Sequence, residues 1–206
     1  MTYHVAGIDF SLTNTGVALK RGDRERPVLR NVLSGPVKTG QHPEGGTFAT
    51  LLDRRNRIRV AVSRIVAEVV TDYDPESDWG VAVIESPLYT GRAGGGGAGQ
   101  HDRSWGWGLL VDALFARGFI VLEASNSTIK KYATGRGDAP KERMLAVMPR
   151  LFPGVFIDDH NIADAAAALA MGCRALGYPL EPSSNRVTPS AIPSTWPRNL
   201  RGTEAP

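Results

Sequence analysis

One short stretch of the sequence constrains the fold more than any other. It reads WGVAVIESP, residues 79–87, and contains an unbroken apolar run from Val81 to Ile84 that ends on Glu85. A strand without alternating polar positions buries both of its faces, which is typical of the middle of an α/β sheet. The sequence therefore predicts a sheet with helices on both faces.

The beginning of the chain repeats this pattern of an apolar strand that ends on a carboxylate. HVAGIDF, residues 4–10, predicts a buried strand with Asp9 near its end, and a polar turn follows over residues 11–15. GVALKR and PVLRNVLS predict a second and a third strand. We expect these three strands to pair antiparallel and to open a mixed α/β sheet.

Helical patterns alternate with strands over the rest of the chain. From about Thr47 to Thr71 the apolar residues share one helical face, at Leu51, Ile58, Val62, Ile65 and Val69. The glycine-rich residues 90–100 predict a mobile loop, and a helix over roughly 105–117 and a strand over 119–125 follow. Ser125 or Ser127 is expected to cap the next helix.

The end of the chain divides into a helix and a tail. Residues 158–176, DDHNIADAAAALAMGCRAL, predict a helix of small residues that packs closely against the sheet. Residues 177–206 hold six of the 14 prolines and few large apolar side chains. We expect a single domain over residues 1–176 and a tail that is disordered or draped over the surface.

Composition narrows the class of protein further. With 206 residues, 42% of them hydrophobic, the chain can bury one sizeable core. Cys173 is its only cysteine, which excludes intrachain disulfides and cysteine-clustered zinc. Its first residues resemble no signal peptide, and no apolar run reaches the roughly 18 residues of a membrane span. We expect a cytoplasmic protein, and the net charge of +3 is compatible with a polyanionic partner.

Three carboxylates are candidates for one site. Strand ends of an α/β sheet share an edge, so Asp9 and Glu85 meet there if their strands are neighbours. Asp164 lies in the alanine-rich helix, with Asn161 three and His160 four residues before it on one helical face. Carboxylates that converge repel one another unless a cation lies between them. Oxygen ligands favour Mg²⁺ or Mn²⁺, and a pair of such ions is the usual device for phosphodiester hydrolysis.

Each of these residues also has a purely structural interpretation. Asp9 could hydrogen-bond only the turn after its strand, and Glu85 could be a charge at a strand end. His160 and Asn161 could be no more than the first residues of a helix. Asp164 is harder to explain in this way, because an unpaired carboxylate that faces a core is costly.

Four stretches carry a resemblance to known proteins. They are GIDFSLTNTG (residues 7–16), AVIESPLY (82–89), IKKYATGRGDAPKERM (129–144) and HNIADAAAALA (160–170). In this order they resemble the motifs of the RuvC-type Holliday-junction resolvases, within the ribonuclease H-like superfamily. The resemblance covers roughly residues 4–176 and identifies the chain as a divergent member, and a phage origin is one expectation.

This resemblance implies a divalent-metal-dependent endonuclease with a ribonuclease H-like fold. Such an enzyme nicks Holliday junctions or other branched DNA as a homodimer, by two-metal phosphodiester hydrolysis. The resemblance implies that Asp9, Glu85 and Asp164 bind Mg²⁺ or Mn²⁺. It also implies that Lys141, with Lys130 or Lys131, contacts phosphate or stabilises charge in the transition state.

The chain departs from the family pattern at one position. Three residues before Asp164 the family has aspartate or histidine, whereas this sequence has Asn161. His160 or Asp159 could supply the fourth ligand after a small shift in register. The fourth ligand therefore stays open between these residues.

Basic and aromatic residues are the candidates for DNA contact. The basic ones come from two clusters, and the candidates are Arg54, Arg55, Lys130, Lys131, Arg136, Lys141 and Arg143. Tyr89, Trp105 and Trp107 could stack on bases near a junction, or could pack in the core instead.

Two other functions stay open from the sequence. The first is a module of the same fold that binds junction DNA without cutting it. The second is an ATP-binding fragment related to actin and sugar kinases, which open with a similar Asp-containing turn but need two lobes.

Overall fold

The fold is built on one five-stranded sheet. The computed structural model describes residues 2–33, 51–87, 98–181 and 187–196. Its strands are β1 (Thr2–Asp9), β2 (Asn14–Arg21), β3 (Val28–Leu33), β4 (Asp78–Glu85) and β5 (Ile120–Ala124), in the sheet order β3-β2-β1-β4-β5. The first three pair antiparallel, whereas β4 is parallel to β1 and β5 is parallel to β4. The predicted mixed sheet with three antiparallel opening strands is confirmed.

Helices cover both faces of this sheet, as expected for the α/β class. In the described part of the chain they are α1 (Leu51–Val69), α2 (Ala98–Phe115), α3 (Asn126–Thr134), α4 (Lys141–Leu151) and α5 (His160–Ala175). Helices α3, α4 and α5 pack on one face, and α1 and α2 pack on the other. None of the helices within the described ranges has the length and apolar character needed to cross a membrane.

The apolar run that predicted a two-sided strand is buried on both faces. Val81 and Val83 contact the core that includes α5, whereas Ala82 and Ile84 contact the core that includes α1 and α2. All four side chains are completely inaccessible to solvent. The strand that ends on Glu85 is therefore a rigid central support.

The alanine-rich helix lies unusually close to the sheet. A Cβ atom at Gly7 of β1 would lie only 2.1 Å from the carbonyl oxygen of Ala165. All residues from 163 to 173 in α5 are buried. Small side chains on the helix and a glycine on the strand together permit this approach, which confirms the predicted close packing.

Two helices differ from their predicted form. In α1 the predicted apolar face is buried from Ile58 onwards, but Leu51 is 63% exposed, because the first turns of the helix lie beyond the residues that pack in the core. Helix α2 begins at Ala98, well before Trp105 and inside the predicted loop. Gly106 packs directly against Phe10 and Ile58, so tertiary contacts outweigh the low helix propensity of glycine. Residues 88–97 of the predicted loop, with Tyr89, lie outside the described residues.

Part of the predicted tail packs into the core. Val187 and Trp196 join the core on the α5 face, and the Nε1 atom of Trp196 donates a hydrogen bond of 3.1 Å to the carbonyl oxygen of Glu123. Glu181 is 5% exposed and accepts hydrogen bonds from Tyr132 and Arg174. The boundary at residue 176 stays a prediction, but these residues extend the folded unit beyond it.

Candidate active site

Asp9 and Glu85 lie side by side at one edge of the sheet. Ile8 of β1 pairs with Ile84 of β4 in parallel register, so the last residue of each strand, Asp9 or Glu85, lies at the same level of the sheet. The two carboxyl groups are close enough for Glu85 to raise the pKa of Asp9. Glu85 is only 5% exposed, which leaves its charge little water to interact with.

Asp9 holds its proton far more tightly than an ordinary aspartate. Burial is the main cause of its raised pKa, and the hydrogen bond with Glu85 and the charges of Glu85 and Asp164 raise it further. In the protein without a bound cation, protonation of Asp9 therefore offsets its repulsion with Glu85 and Asp164. A divalent cation in place of that proton would offset the same repulsion.

Asp164 faces the same edge from helix α5. Burial and the charge of Glu85 raise its pKa to about 6, while Lys130, Lys141 and His160 act in the opposite direction. Its side chain is 7% exposed, and its buried Oδ1 atom has no hydrogen-bond partner within the described structure. An unsatisfied carboxylate oxygen is costly, which indicates a ligand for this atom. We refer to Asp9, Glu85 and Asp164 together as the acidic edge.

The start of α5 is placed over β1 and β2 by a close backbone contact. Gly16 of β2 lies directly opposite Asp9, and a Cβ atom there would lie 2.1 Å from the carbonyl oxygen of Asn161. Asp159 caps the helix, because its side chain accepts hydrogen bonds from the backbone N–H groups of Asn161 and Ile162. The position of Asp164 over the acidic edge therefore depends on a glycine next to Asp9.

The polar turn after β1 is closed by its own residues. The hydroxyl of Thr15 donates to the carbonyl oxygen of Ser11 at 2.6 Å, and the Ser11 N–H donates back to that hydroxyl at 3.1 Å. These bonds give the turn its shape without the carboxylate of Asp9. The interpretation of Asp9 as a turn-stabilising residue is therefore not favoured.

Arg103 of α2 is a site residue that the sequence analysis did not identify. Its Nη2 atom donates a hydrogen bond of 3.1 Å to the carbonyl oxygen of Phe10 and lies 4.0 Å from Oε1 of Glu85. Its charge lowers the pKa of Asp9 against the effect of burial. The sequence contained no signal for it, because it lies in the part of α2 that was predicted to be near a loop.

The candidate fourth ligands lie at the first turn of α5. His160 has a buried Nδ1 atom without a hydrogen-bond partner in the described residues. Asp159 uses its Oδ1 atom in the helix cap, and Asn161 shares the helical face of Asp164. The identity of the fourth ligand stays a prediction.

The described residues contain no ready-made group of three His, Cys, Asp or Glu side chains at metal-binding distances. The chemistry of the acidic edge nonetheless fits a hard cation, since the charge of Glu85 raises the pKa of both Asp9 and Asp164 and the buried Oδ1 atom of Asp164 is left unsatisfied.

The predicted DNA-binding residues divide into two groups. Lys130 and Lys141 act electrostatically on Asp164 and so flank the acidic edge. Three further candidates on this side of the sheet are exposed, namely Lys131, Arg136 and Arg143. Of these, Arg136 forms an ion pair of 2.9 Å with Asp138. Arg54 and Arg55 lie in the first turn of α1, on the opposite face of the sheet from α5.

The two tryptophans predicted as possible stacking residues are partly buried. Trp105 and Trp107 pack against the core on the α1 and α2 face. The Nε1 atom of Trp107 donates a hydrogen bond of 2.9 Å to the carbonyl oxygen of Glu85. These contacts favour the core-packing alternative for both residues.

A mixed sheet of this order, with carboxylates at two adjacent strand ends and on the last helix, defines a ribonuclease H-like nuclease fold. No family model matches the chain. A crossover junction endodeoxyribonuclease RuvC from Corynebacterium diphtheriae is 30% identical over 165 residues, which cover 80% of this chain and 88% of that relative. Another from Acidiphilium cryptum is 28% identical and covers 79% and 86%. The chain belongs to the RuvC family of crossover junction endodeoxyribonucleases, and it is an endonuclease.

Solved structures agree with the fold. T. thermophilus RuvC in complex with a Holliday junction substrate has a TM-score of 0.58 at 20% identity, over 85% of this chain and 96% of that one. A second Thermus thermophilus RuvC structure has a TM-score of 0.51 at 20% identity, over 81% and 90%. The predicted ribonuclease H-like fold is confirmed.

Proposed function

We propose that this endonuclease nicks Holliday junctions or other branched DNA by divalent-metal-dependent hydrolysis, acting as a homodimer in the cytoplasm. The observation that carries the proposal is the acidic edge, where the charges of Glu85 and Asp164 raise the pKa of Asp9 and the buried Oδ1 atom of Asp164 is unsatisfied. The family relationship and a neighbour solved with a Holliday junction support the substrate class.

In this proposal the acidic edge holds Mg²⁺ or Mn²⁺, with two ions per site. Such ions lower the pKa of a bound water and stabilise the leaving oxygen of the phosphodiester. Asp9 and Glu85 supply their carboxylates from two rigid strands, and Asp164 supplies the third from α5. His160 or Asn161 completes the ligand set at the first turn of α5.

The cations around the acidic edge hold the DNA backbone in place. Lys130 and Lys141 act electrostatically on Asp164, and the Arg103 guanidinium lies 4.0 Å from the Glu85 carboxylate. A phosphate at the acidic edge would be contacted by these positive groups, and affinity would fall steeply with salt. The exposed basic residues Lys131, Arg136 and Arg143 extend this surface. Arg54 and Arg55 are predicted to contact DNA elsewhere.

The experiment that tests this proposal compares two DNA substrates and two variants. A labelled synthetic four-way junction and a linear duplex of the same sequence are incubated with the protein in Mg²⁺, in Mn²⁺ and in EDTA. We expect metal-dependent nicks in the junction alone, and their loss in Glu85→Gln. Glu76→Gln is the matched control, because Glu76 is exposed near the other end of β4.

Each outcome of that experiment has a defined meaning. Nicking of both substrates at equal rates would refute selectivity for branched DNA. Binding of the junction in magnesium without nicks would instead support a non-cleaving junction-binding module. Full activity of Glu85→Gln would refute the role of the acidic edge.

A further inference from the structure

Phe156 is the most exposed large apolar side chain among the residues that the structure describes. It is 85% exposed, whereas Leu33, Leu51 and Leu52 are between 61% and 64% exposed. Phenylalanine loses a large hydrophobic contribution when it is left in water. Burial of this ring against a binding partner would therefore be favourable.

The loop around Phe156 is anchored to the core on both sides of the exposed ring. We call residues 152–159 the Phe156 loop. Val155 and Ile157, on either side of Phe156, are partly buried and pack against the core. Gly154 has a φ of 76°, and the Val155 N–H donates to the carbonyl oxygen of Phe152 at 3.1 Å, which fixes the turn before the ring. Both neighbours of Phe156 are therefore held against the core, while its own side chain is exposed to solvent.

The Phe156 loop leads directly into the candidate active site. It ends at Asp159, the cap of α5, and His160 and Asp164 follow in the first turns of that helix. On its other side the guanidinium of Arg26 lies 3.8 Å from the position of a Cβ atom on Gly154. Along the chain, the exposed ring of Phe156 thus lies between Gly154, which is next to the Arg26 guanidinium, and the start of α5. An exposed aromatic ring near a cationic group is typical of surfaces that bind nucleic acid strands.

We propose that Phe156 contacts the DNA by stacking on a base that is exposed near the cleavage site. This inference rests on the proposed function, since the acidic edge brings the DNA backbone to the start of α5. A junction or other branch point offers unstacked base faces, which intact duplex does not. Phe156 then contributes affinity for branched DNA that phosphate contacts alone do not supply.

Binding measurements on four single variants test this proposal. Affinity for a labelled four-way junction is measured in EDTA for Phe156→Ala, Phe156→Leu and Phe156→Tyr. Phe115→Ala is the matched control, because Phe115 is 55% exposed at the far end of α2. Loss of one stacked base weakens binding about 5- to 140-fold. We expect this loss for the Ala variant, a similar one for Leu, and wild-type affinity for Tyr and for Phe115→Ala.

Two further readouts separate stacking from other roles. The slope of log affinity against log salt should be the same in Phe156→Ala and the wild type, because no phosphate contact is removed. The melting temperature and the oligomeric mass should also be unchanged. A dimeric wild type that becomes monomeric in Phe156→Ala would show instead that Phe156 contacts a second copy of the chain, and would overturn the proposal.

The remaining outcomes distinguish this inference from the proposed function. If the wild type neither binds nor nicks the junction, the proposed function fails, and the inference fails with it. If the wild type binds and nicks but Phe156→Ala does so equally well, only the inference is refuted. Retention of affinity by Phe156→Leu would show a simple apolar contact and would also refute stacking.

Discussion

Replacing Gly16 with alanine should damage the active site through a single backbone contact. A Cβ atom at this position would lie 2.1 Å from the carbonyl oxygen of Asn161, and ordinary contact begins at 3.4 Å. The start of α5 must therefore retreat by about 1.3 Å, the difference between these two distances. This movement carries His160 and Asp164 away from Asp9, which lies directly opposite Gly16.

The size of the effect follows from that displacement. Inserting a methyl group into a packed site costs about 1–3 kcal/mol of stability, or roughly 2–12 °C in melting temperature for a chain of this length. A misplacement of about 1 Å in a catalytic site reduces activity about 100-fold. We therefore expect Gly16→Ala to fold, to melt a few degrees lower and to lose about two orders of magnitude in nicking rate.

The assay compares nicking rate and thermal unfolding in Gly16→Ala and Gly108→Ala. Gly108 lies inside α2 with nothing within 4 Å of an added Cβ atom, so alanine should leave activity unchanged and raise stability by up to about 1 kcal/mol. Wild-type nicking by Gly16→Ala at wild-type stability would show that the placement of α5 on β2 does not position the site.

Three further predictions follow from the buried and charged groups. First, Asp164→Asn should stabilise the metal-free protein near pH 7.5, because the raised pKa of about 6 means that the ionised carboxylate destabilises the fold above that pH. The gain, roughly 1–3 kcal/mol, should shrink as the pH falls through 6 towards 4; an equal gain at pH 4 in thermal unfolding would contradict this cause. Second, Trp196→Ala should cost about 3 kcal/mol in urea unfolding, since this side chain is 6% exposed in the core. A change below about 0.5 kcal/mol would show that the tail is not part of the folded unit. Third, Arg103→Ala should reduce nicking at least tenfold, because Arg103 joins the end of β1 to Glu85. Arg117 is exposed just after the same helix, so Arg117→Ala should leave the nicking rate unchanged. Equal nicking rates in the two variants would refute a specific role for Arg103.

The sequence predicted the elements whose residue pattern reflects their own burial. The apolar runs before Asp9 and Glu85 indicated central strands, and the alanine-rich helix indicated close packing on a sheet. Both signals are local, because periodicity and side-chain size can be read from a few consecutive residues. They also indicated that Asp9 and Glu85 could meet, and the structure places the two side by side.

The features that were missed depend on contacts between distant parts of the chain. Trp196 was expected to lie in a disordered or surface tail, yet it packs near Glu123. Arg103 approaches Glu85 only because α2 begins earlier than the glycine-rich composition predicted. Leu51 matches the apolar face of α1 but lies beyond the core, and a periodic pattern does not show where packing ends.

Neither the sequence pattern nor the fold establishes which individual residues bind the metal or the DNA. Asp159 appeared among the candidates for a fourth ligand, whereas its side chain caps α5. His160 and Asn161 stay predictions, as do the DNA contacts of the basic residues. An aspartate that binds a cation and an aspartate that caps a helix are the same residue type, and only their structural surroundings distinguish the two roles.

Anomalous diffraction from crystals grown with Mn²⁺ tests the central claim most directly. The account predicts a peak within about 2.5 Å of carboxylate oxygens from Asp9, Glu85 and Asp164, with Asp164 drawn towards the two strands. The peak should vanish in crystals of Asp9→Asn. Manganese bound elsewhere, with none at the acidic edge, would contradict this claim.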